Sequence, residues 1–275
     1  MKRFLYTYIV VIGSFFSCEE VVVLDLNQSQ PQFVIEGMLT NKDTTHFVKV
    51  SQSIQFYETG LNPVLNAIIR VEGGGEEFMY SHNPMGIDSM KGYYFSDIPY
   101  AGKVGEAYTL NVNVNGVNYA AEDTMLSVTP IDSLSFQLAD HPSEEDEMDG
   151  KIYEVILYAG EPQGTDDYYQ FQFLRGNELI AYTNNIYVFS DVILGPSLNG
   201  LPSPVLFREG EMAKVQIYSL TREQYVFYTD LSNILNSDGG MFSPPPANPR
   251  NTFTNDALGL WQVSAISEDS ILINP

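Results

Sequence analysis

Three histidines, one cysteine and thirty-five carboxylates are the side chains from which this 275-residue chain could build chemistry. His46, His82 and His141 never fall three or four positions apart, and no HExxH occurs. Zinc held on one helix face is therefore excluded, and surface polarity is the expected role of all three. The densest acidic run is Glu144, Glu145, Asp146, Glu147 and Asp149. Such hard oxygen donors suit Ca2+, but the run lacks the EF-hand order and its central glycine. It reads as a solvated loop that binds cations weakly to relieve its own repulsion, with no resident cofactor. Asp166 and Asp167 are read in the same way. Glycoside hydrolysis needs two carboxylates at a set separation, which sequence does not display, and so many acids supply chance pairs freely. There is no GxSxG elbow, and Gly73-Gly74-Gly75 lacks the Lys-Ser/Thr that holds phosphate. Tyr93, Tyr94, Tyr168, Tyr169 and Tyr182 could line a sugar or peptide groove, with Tyr168 and Tyr169 as the candidate ligand contacts. Tyrosines in β proteins more commonly cover sheets. No catalytic residue is expected.

The amino terminus carries the most specific signal. In MKRFLYTYIVVIGSFFSCEE, Lys2 and Arg3 precede an apolar run from Phe4 to Phe16, then Ser17 and Cys18. The run is too short for a mature membrane anchor but suits the core of a signal peptide over 1–17. Cys18 resembles the lipidated cysteine of a bacterial lipobox, although Phe15 stands where leucine is usual. Glu19 and Glu20 resemble the acidic patch that directs lipoproteins to the cell surface in the Bacteroidota. Cys18 is the only cysteine, so its lipidation leaves no thiol for a disulfide, a nucleophile or a metal. The expected location is the outer membrane, anchored by lipid and exposed at the surface. A net charge of −22 with no basic patch excludes nucleic acid as a partner.

The elements that must position these residues are strands. FVIEGML (33–39), HFVKVSQ (46–52) and VLNAIIRVEG (64–73) are short β segments split by polar turns and glycines. In AYTLNVNVNGVNYAA (107–121), Tyr108, Leu110, Val112 and Val114 alternate with polar residues, the two-residue period of a half-buried strand. Asn115-Gly116 suits a type I′ turn, pairing 108–114 with 117–121. After a connector with one or two strands over 126–138, IYEVILYA (152–159), DYYQFQFLR (167–175), a strand within 181–194 and MAKVQIYSL (212–220) form a second system. The continuous apolar content of the first two implies burial on more than one side. One helix is expected over 221–236, opened by a Thr221/Gln224 capping box and ended at Asp238-Gly239-Gly240. SPPPANPR (243–250) is a surface crossing, and LGLWQVSAIS (258–267) is a late strand with Trp261 in a core. The chain therefore divides into a tether over 18–30, a β-sandwich over 31–127 and a mostly β region over 128–275.

These pieces together resemble the Bacteroidota lipoproteins of domain-of-unknown-function family 4249. CEEVVVLDLNQSQPQFVIEGMLT resembles that family's mature start, and VKVSQSIQFYETGLNPVLNAIIRVEG its next two strands. GYYFSDIPYAGKVGEAYTLNVNVNGVNYAAEDTM and DGGMFSPPPANPRNTFTNDALGLWQVSAIS resemble its central and terminal blocks. Arg250-Asn251-Thr252-Phe253 replaces the usual Ser-Asn-Ile portion, and Leu260-Trp261 stands where Tyr-Phe is common.

The resemblance implies a mainly β fold. Its N-terminal half would be an immunoglobulin-like or transthyretin-like sandwich, followed by a second, mostly antiparallel β domain with one short helix. It also implies outer-membrane lipoproteins encoded beside TonB-dependent transporters. The expected role is a noncatalytic ligand-binding or docking accessory to such a transporter. A structural envelope or adhesion protein is the alternative, and a carboxylate-dependent glycoside hydrolase a more distant one. Fold alone decides none of these.

Overall fold

The computed structural model describes residues 30–54, 60, 62–140, 151–160, 165–180, 186–191, 198–237 and 247–275. The leader, Cys18, the tether up to residue 29, the acidic run 144–149, the expected helix stop at 238–240 and the first half of 243–250 lie outside them.

The protein is mainly β. The first sheet uses β1 (Phe33–Thr40), β2 (Phe47–Gln52), β3 (Asn62–Pro63), β4 (Ile68–Gly73), β5 (Glu76–His82), β6 (Tyr93–Ser96), β7 (Ala107–Val114) and β8 (Val117–Thr124). Then come β9 (Ile131–Leu138), β10 (Ile152–Ala159), β11 (Tyr168–Arg175), β12 (Glu178–Leu179), β13 (Tyr187–Ser190), β14 (Leu201–Arg208) and β15 (Met212–Leu220). Helix α1 (Arg222–Leu235), β16 (Leu258–Ser264) and β17 (Ile266–Leu272) finish the chain.

The first sheet runs β16-β1-β2-β6-β5-β4-β7-β8, with β3 paired to β2. All of its pairings are antiparallel except β1 with β16. The sheet curls until its outer strands meet. Leu126 bridges Ser264, and the Trp261 indole N–H donates to the Tyr108 carbonyl at 3.0 Å. One nearly closed sheet thus supplies both walls of a sandwich-like core that includes Ile35, Val48, Ile69, Leu110, Val112 and Trp261. Trp261 is a core residue, as its strand context implied, with 1% of its surface exposed.

A second core lies between the β14-β10-β9 sheet and the β12-β11-β15-β17 sheet, where β13 also joins β11. The two long aromatic strands of this region therefore belong to different sheets. Both are buried on two sides, as their apolar runs required: ten of their sixteen residues are buried, including the neighbours Val155, Ile156 and Leu157 on β10 and Tyr169, Gln170 and Phe171 on β11. Strand β14 carries Pro202 and Pro204, which lack donors, and it accordingly sits at a sheet edge. Its pairing with β10 shifts register between Glu154 and Ile156, and there the Ser203 hydroxyl accepts from the Val155 amide at 3.0 Å.

The Asn115-Gly116 turn closes the β7–β8 hairpin as its sequence required. Both residues have positive φ, 53° and 85°, and Leu110 faces Ala121 across the pair. Helix α1 begins where the Thr221/Gln224 box placed it, with the Thr221 amide donating to Gln224 Oε1 at 2.9 Å. The expectation that the histidines lie at the surface fails for His46, which is 4% exposed and edge-on to the Tyr100 ring. It sits one residue before β2 and packs inward. The β1 to β2 turn brings it there, which a local reading of polarity did not register.

Candidate functional site

Helix α1 is amphipathic, and its apolar side lies over the outer face of the first sheet. There β1 presents Val34, Glu36 and Met38 in register with Leu258, Leu260 and Gln262 of β16. A groove of about 440 Å3 remains between helix and sheet. Its apolar lining includes Met38, Phe47, Phe227, Leu231, Leu258 and Leu260.

The polar side chains on the floor of the groove are already paired. Tyr228 donates its hydroxyl to Gln262 Oε1 at 2.6 Å, while Gln262 Nε2 donates to Ser264 Oγ at 3.0 Å and Gln170 Oε1 at 3.3 Å. Burial pushes the Tyr228 hydroxyl well above the ordinary phenol range, so it stays a neutral donor. At the rim, Glu36 Oε1 accepts from Lys49 Nζ at 3.0 Å. Arg250 reaches Asp230 of α1 at 3.1 Å. The groove therefore offers apolar surface and shape, with a satisfied amide floor and no nucleophile beside a base.

The other end of the helix borders a polar cavity of about 340 Å3, lined by Glu122, Asp123, Glu223, Asn251, Thr252 and Trp261 among others. Asp123 lies on β8 but is held by three residues, two at the start of α1 and one on β16. Its Oδ1 accepts from the Thr221 hydroxyl at 3.0 Å, and its Oδ2 accepts from the Val263 amide at 2.8 Å and from the Gln224 side-chain amide. Burial raises its pKa to about 7, opposed by these hydrogen bonds and assisted slightly by the charge of Glu223. The carboxyl is spent on joining the frame. A third space of about 200 Å3 lies in the second core among residues such as Val155, Phe171, Phe173 and Phe189.

The aromatic candidates separate. Tyr169 points into the second core with 1% exposure, whereas Tyr168 packs on Tyr225 of α1 at 4.8 Å between ring centres. Tyr94 is buried and donates its hydroxyl to the Val64 carbonyl at 3.0 Å. Tyr93 is half-buried beside Phe47 and Phe95 on the outer face. Tyr182, His141 and the acidic run 144–149 lie outside the described residues. Among the described residues no three His, Cys, Asp or Glu side chains gather as a metal site, and no helix is long and apolar enough to cross a membrane.

Asp123 and Gln262 were not singled out by sequence. Nothing distinguishes Asp123 in AAEDT from the other acids, while the alternation through LGLWQVS gives Gln262 a face without naming its partner. Gln224 was legible, because the capping box required it.

A mainly β protein with one nearly closed sheet, a second two-sheet core and a helix roofing an apolar groove is the class that the structure defines. The chain belongs to the domain of unknown function DUF4249, whose family model matches residues 19–268. No curated protein sequence matches it. Among solved structures it is similar to a mutant of Salmonella alpha-2-macroglobulin, at 12% identity and a TM-score of 0.26, covering 73% of this chain and 14% of that one. It is also similar to the A168–A169 segment of titin, at 14% identity and a TM-score of 0.23, covering 70% of this chain and 92% of that one.

Proposed function

We propose that the protein is a noncatalytic, surface-associated lipoprotein that holds a small, largely apolar ligand beneath α1, as an accessory to an outer-membrane nutrient transporter. The observation that carries this reading is the groove itself. Its volume of about 440 Å3 falls within the few hundred Å3 usual for small-ligand pockets. Its Gln262–Tyr228 floor is internally satisfied, so a ligand gains by covering apolar surface rather than by supplying missing hydrogen bonds. Leader, Cys18 and acidic patch supply the anchor and the address, and the transporter belongs to the family context.

The test uses the lipidated protein, crosslinked gently in its own membrane and purified. Recovery of a transporter, lost on Cys18→Ala, supports the accessory role. Recovery of a small molecule by mass spectrometry from wild type, lost on Leu231→Arg, supports the groove as its site. Confirmed lipidation and surface exposure with neither companion overturns the reading in favour of a freestanding envelope protein.

A further inference from the structure

Pro202 and Pro204 deprive β14 of two donors, and the strand answers with a bulge. Glu154 of β10 faces Leu206 and Ile156 faces Pro202, so Ser203, Pro204 and Val205 all stand against Val155 alone. The Ser203 hydroxyl mends the broken ladder, accepting from the Val155 amide at 3.0 Å and donating to the Val205 carbonyl at 2.7 Å. The space of about 200 Å3 in the second core borders this bulge, with Val155, Ser203 and Pro204 on its wall.

Its two sides differ. Val155 and Leu157 of β10 make one side aliphatic, whereas Phe171 and Phe173 of β11 with Tyr187 and Phe189 of β13 make the other aromatic. The aromatic side chains meet edge to face, Phe171 with Phe189 at 5.8 Å and Phe173 with Tyr187 at 5.6 Å between ring centres. Tyr187, Phe189 and Leu201 are only half-buried and mark the mouth, between β13 and β14. With the Ser203 hydroxyl engaged twice, water inside would lack the roughly two to four polar partners that it needs. An apolar cavity of about 150 Å3 stays dry and takes benzene.

We propose that this cavity is a second binding site, distinct from the groove under α1, and that it takes a neutral aromatic ring with at most small apolar substituents. Such a ring extends the edge-to-face packing of the aromatic side while covering the aliphatic one. A flexible acyl chain would forfeit those contacts and lose more conformational entropy on entry. A charged ring would leave water without gaining a partner on these walls.

The test uses the full mature chain, residues 18–275, with its valine and leucine methyls labelled for NMR and toluene as the probe. Val155, Leu157 and Val215 report the cavity, while Val34, Leu231 and Leu258 report the groove. The expected result is saturable magnetisation transfer from toluene to the cavity methyls, and none from benzoate, the same ring carrying a charge. Leu201→Phe, which thickens the mouth, should weaken toluene binding about ten-fold or more. Transfer to the groove methyls alone, or to neither set, overturns the proposal. So does benzoate that enters the cavity as readily as toluene, or undiminished binding by a folded Leu201→Phe. The wild-type contacts decide the matter even where that variant does not fold. Recovery of a groove ligand from the membrane stands or falls separately, because the two sites share no residue.

Discussion

Gly37 of β1 and Trp261 of β16 face each other in parallel register, and the glycine exists to admit the indole. A Cβ at position 37 would lie 2.8 Å from Cε3 and 3.0 Å from Cζ3 of Trp261, with Val48 Cγ2 at 3.2 Å behind it. The ring cannot retreat, because its N–H is fixed to the Tyr108 carbonyl across the sheet seam. Gly37→Ala should therefore overpack the first core and cost about 1–3 kcal/mol. Trp261 is the only tryptophan in the chain, so urea unfolding followed by its fluorescence reads both the loss and any displacement of the ring. An unchanged midpoint would show that the core gives way more easily than this geometry allows.

The β7–β8 hairpin makes a second prediction from a turn that sequence and structure agree on. Gly116 sits at φ 85°, where a β-branched side chain is strained. Gly116→Val should lower stability by about 1–2 kcal/mol, while Asn115→Gly, which keeps the positive φ accessible, should change it far less. Comparing the two by denaturant midpoint separates strain in the turn from loss of the Asn115 side chain.

Why the hairpin and α1 were legible, and the seam was not, follows from the range of the forces involved. Alternation from Tyr108 to Val114, the Asn-Gly turn and the Thr221/Gln224 box are each encoded within a few neighbouring residues. The parallel pairing of β1 with β16 joins residues more than 200 positions apart, and no local pattern announces a partner at that distance. Strand β14 escaped notice because Pro202 and Pro204 speak against a strand, and only its edge position and register shift accommodate them. The groove is a product of that same long-range return. Phe227 and Leu231 were visible as a helical stripe, but the face they cover is made by β1 and β16 together.

The floor of the groove supplies a third prediction. Tyr228→Phe removes the donor to Gln262 Oε1 and leaves a buried amide oxygen short of a partner. The expected cost is about 1–3 kcal/mol, since an unmade buried hydrogen bond exposes the desolvation of the group left behind. The ring keeps its packing, so circular dichroism should be unchanged while the unfolding midpoint falls. A neutral result would mean that Gln262 finds another donor once the phenol is gone.

His46 makes the last prediction, and its sign is opposite to that of Asp123. The Tyr100 carbonyl can only accept, so the 2.8 Å contact assigns the proton to His46 Nε2 and makes the neutral ring the donor. Burial lowers the pKa of the ring below the ordinary 6.5, against smaller raising contributions from the Tyr100 hydrogen bond and the charge of Asp43. Above about pH 6.5 the ring is neutral in both folded and unfolded chains, and its contribution is complete. As pH falls below that value the unfolded chain takes up a proton that the folded one refuses, so stability is lost toward the depressed folded pKa. Asp123 acts the other way over the same interval, gaining stability as pH falls from about 7. The two are separated by His46→Gln, whose amide can still donate to Tyr100 but does not titrate. Thermal unfolding between pH 7.5 and 5 should show wild type losing ground to that variant as the pH drops. Parallel curves would mean that the fold carries a charged His46 at no cost, against its burial.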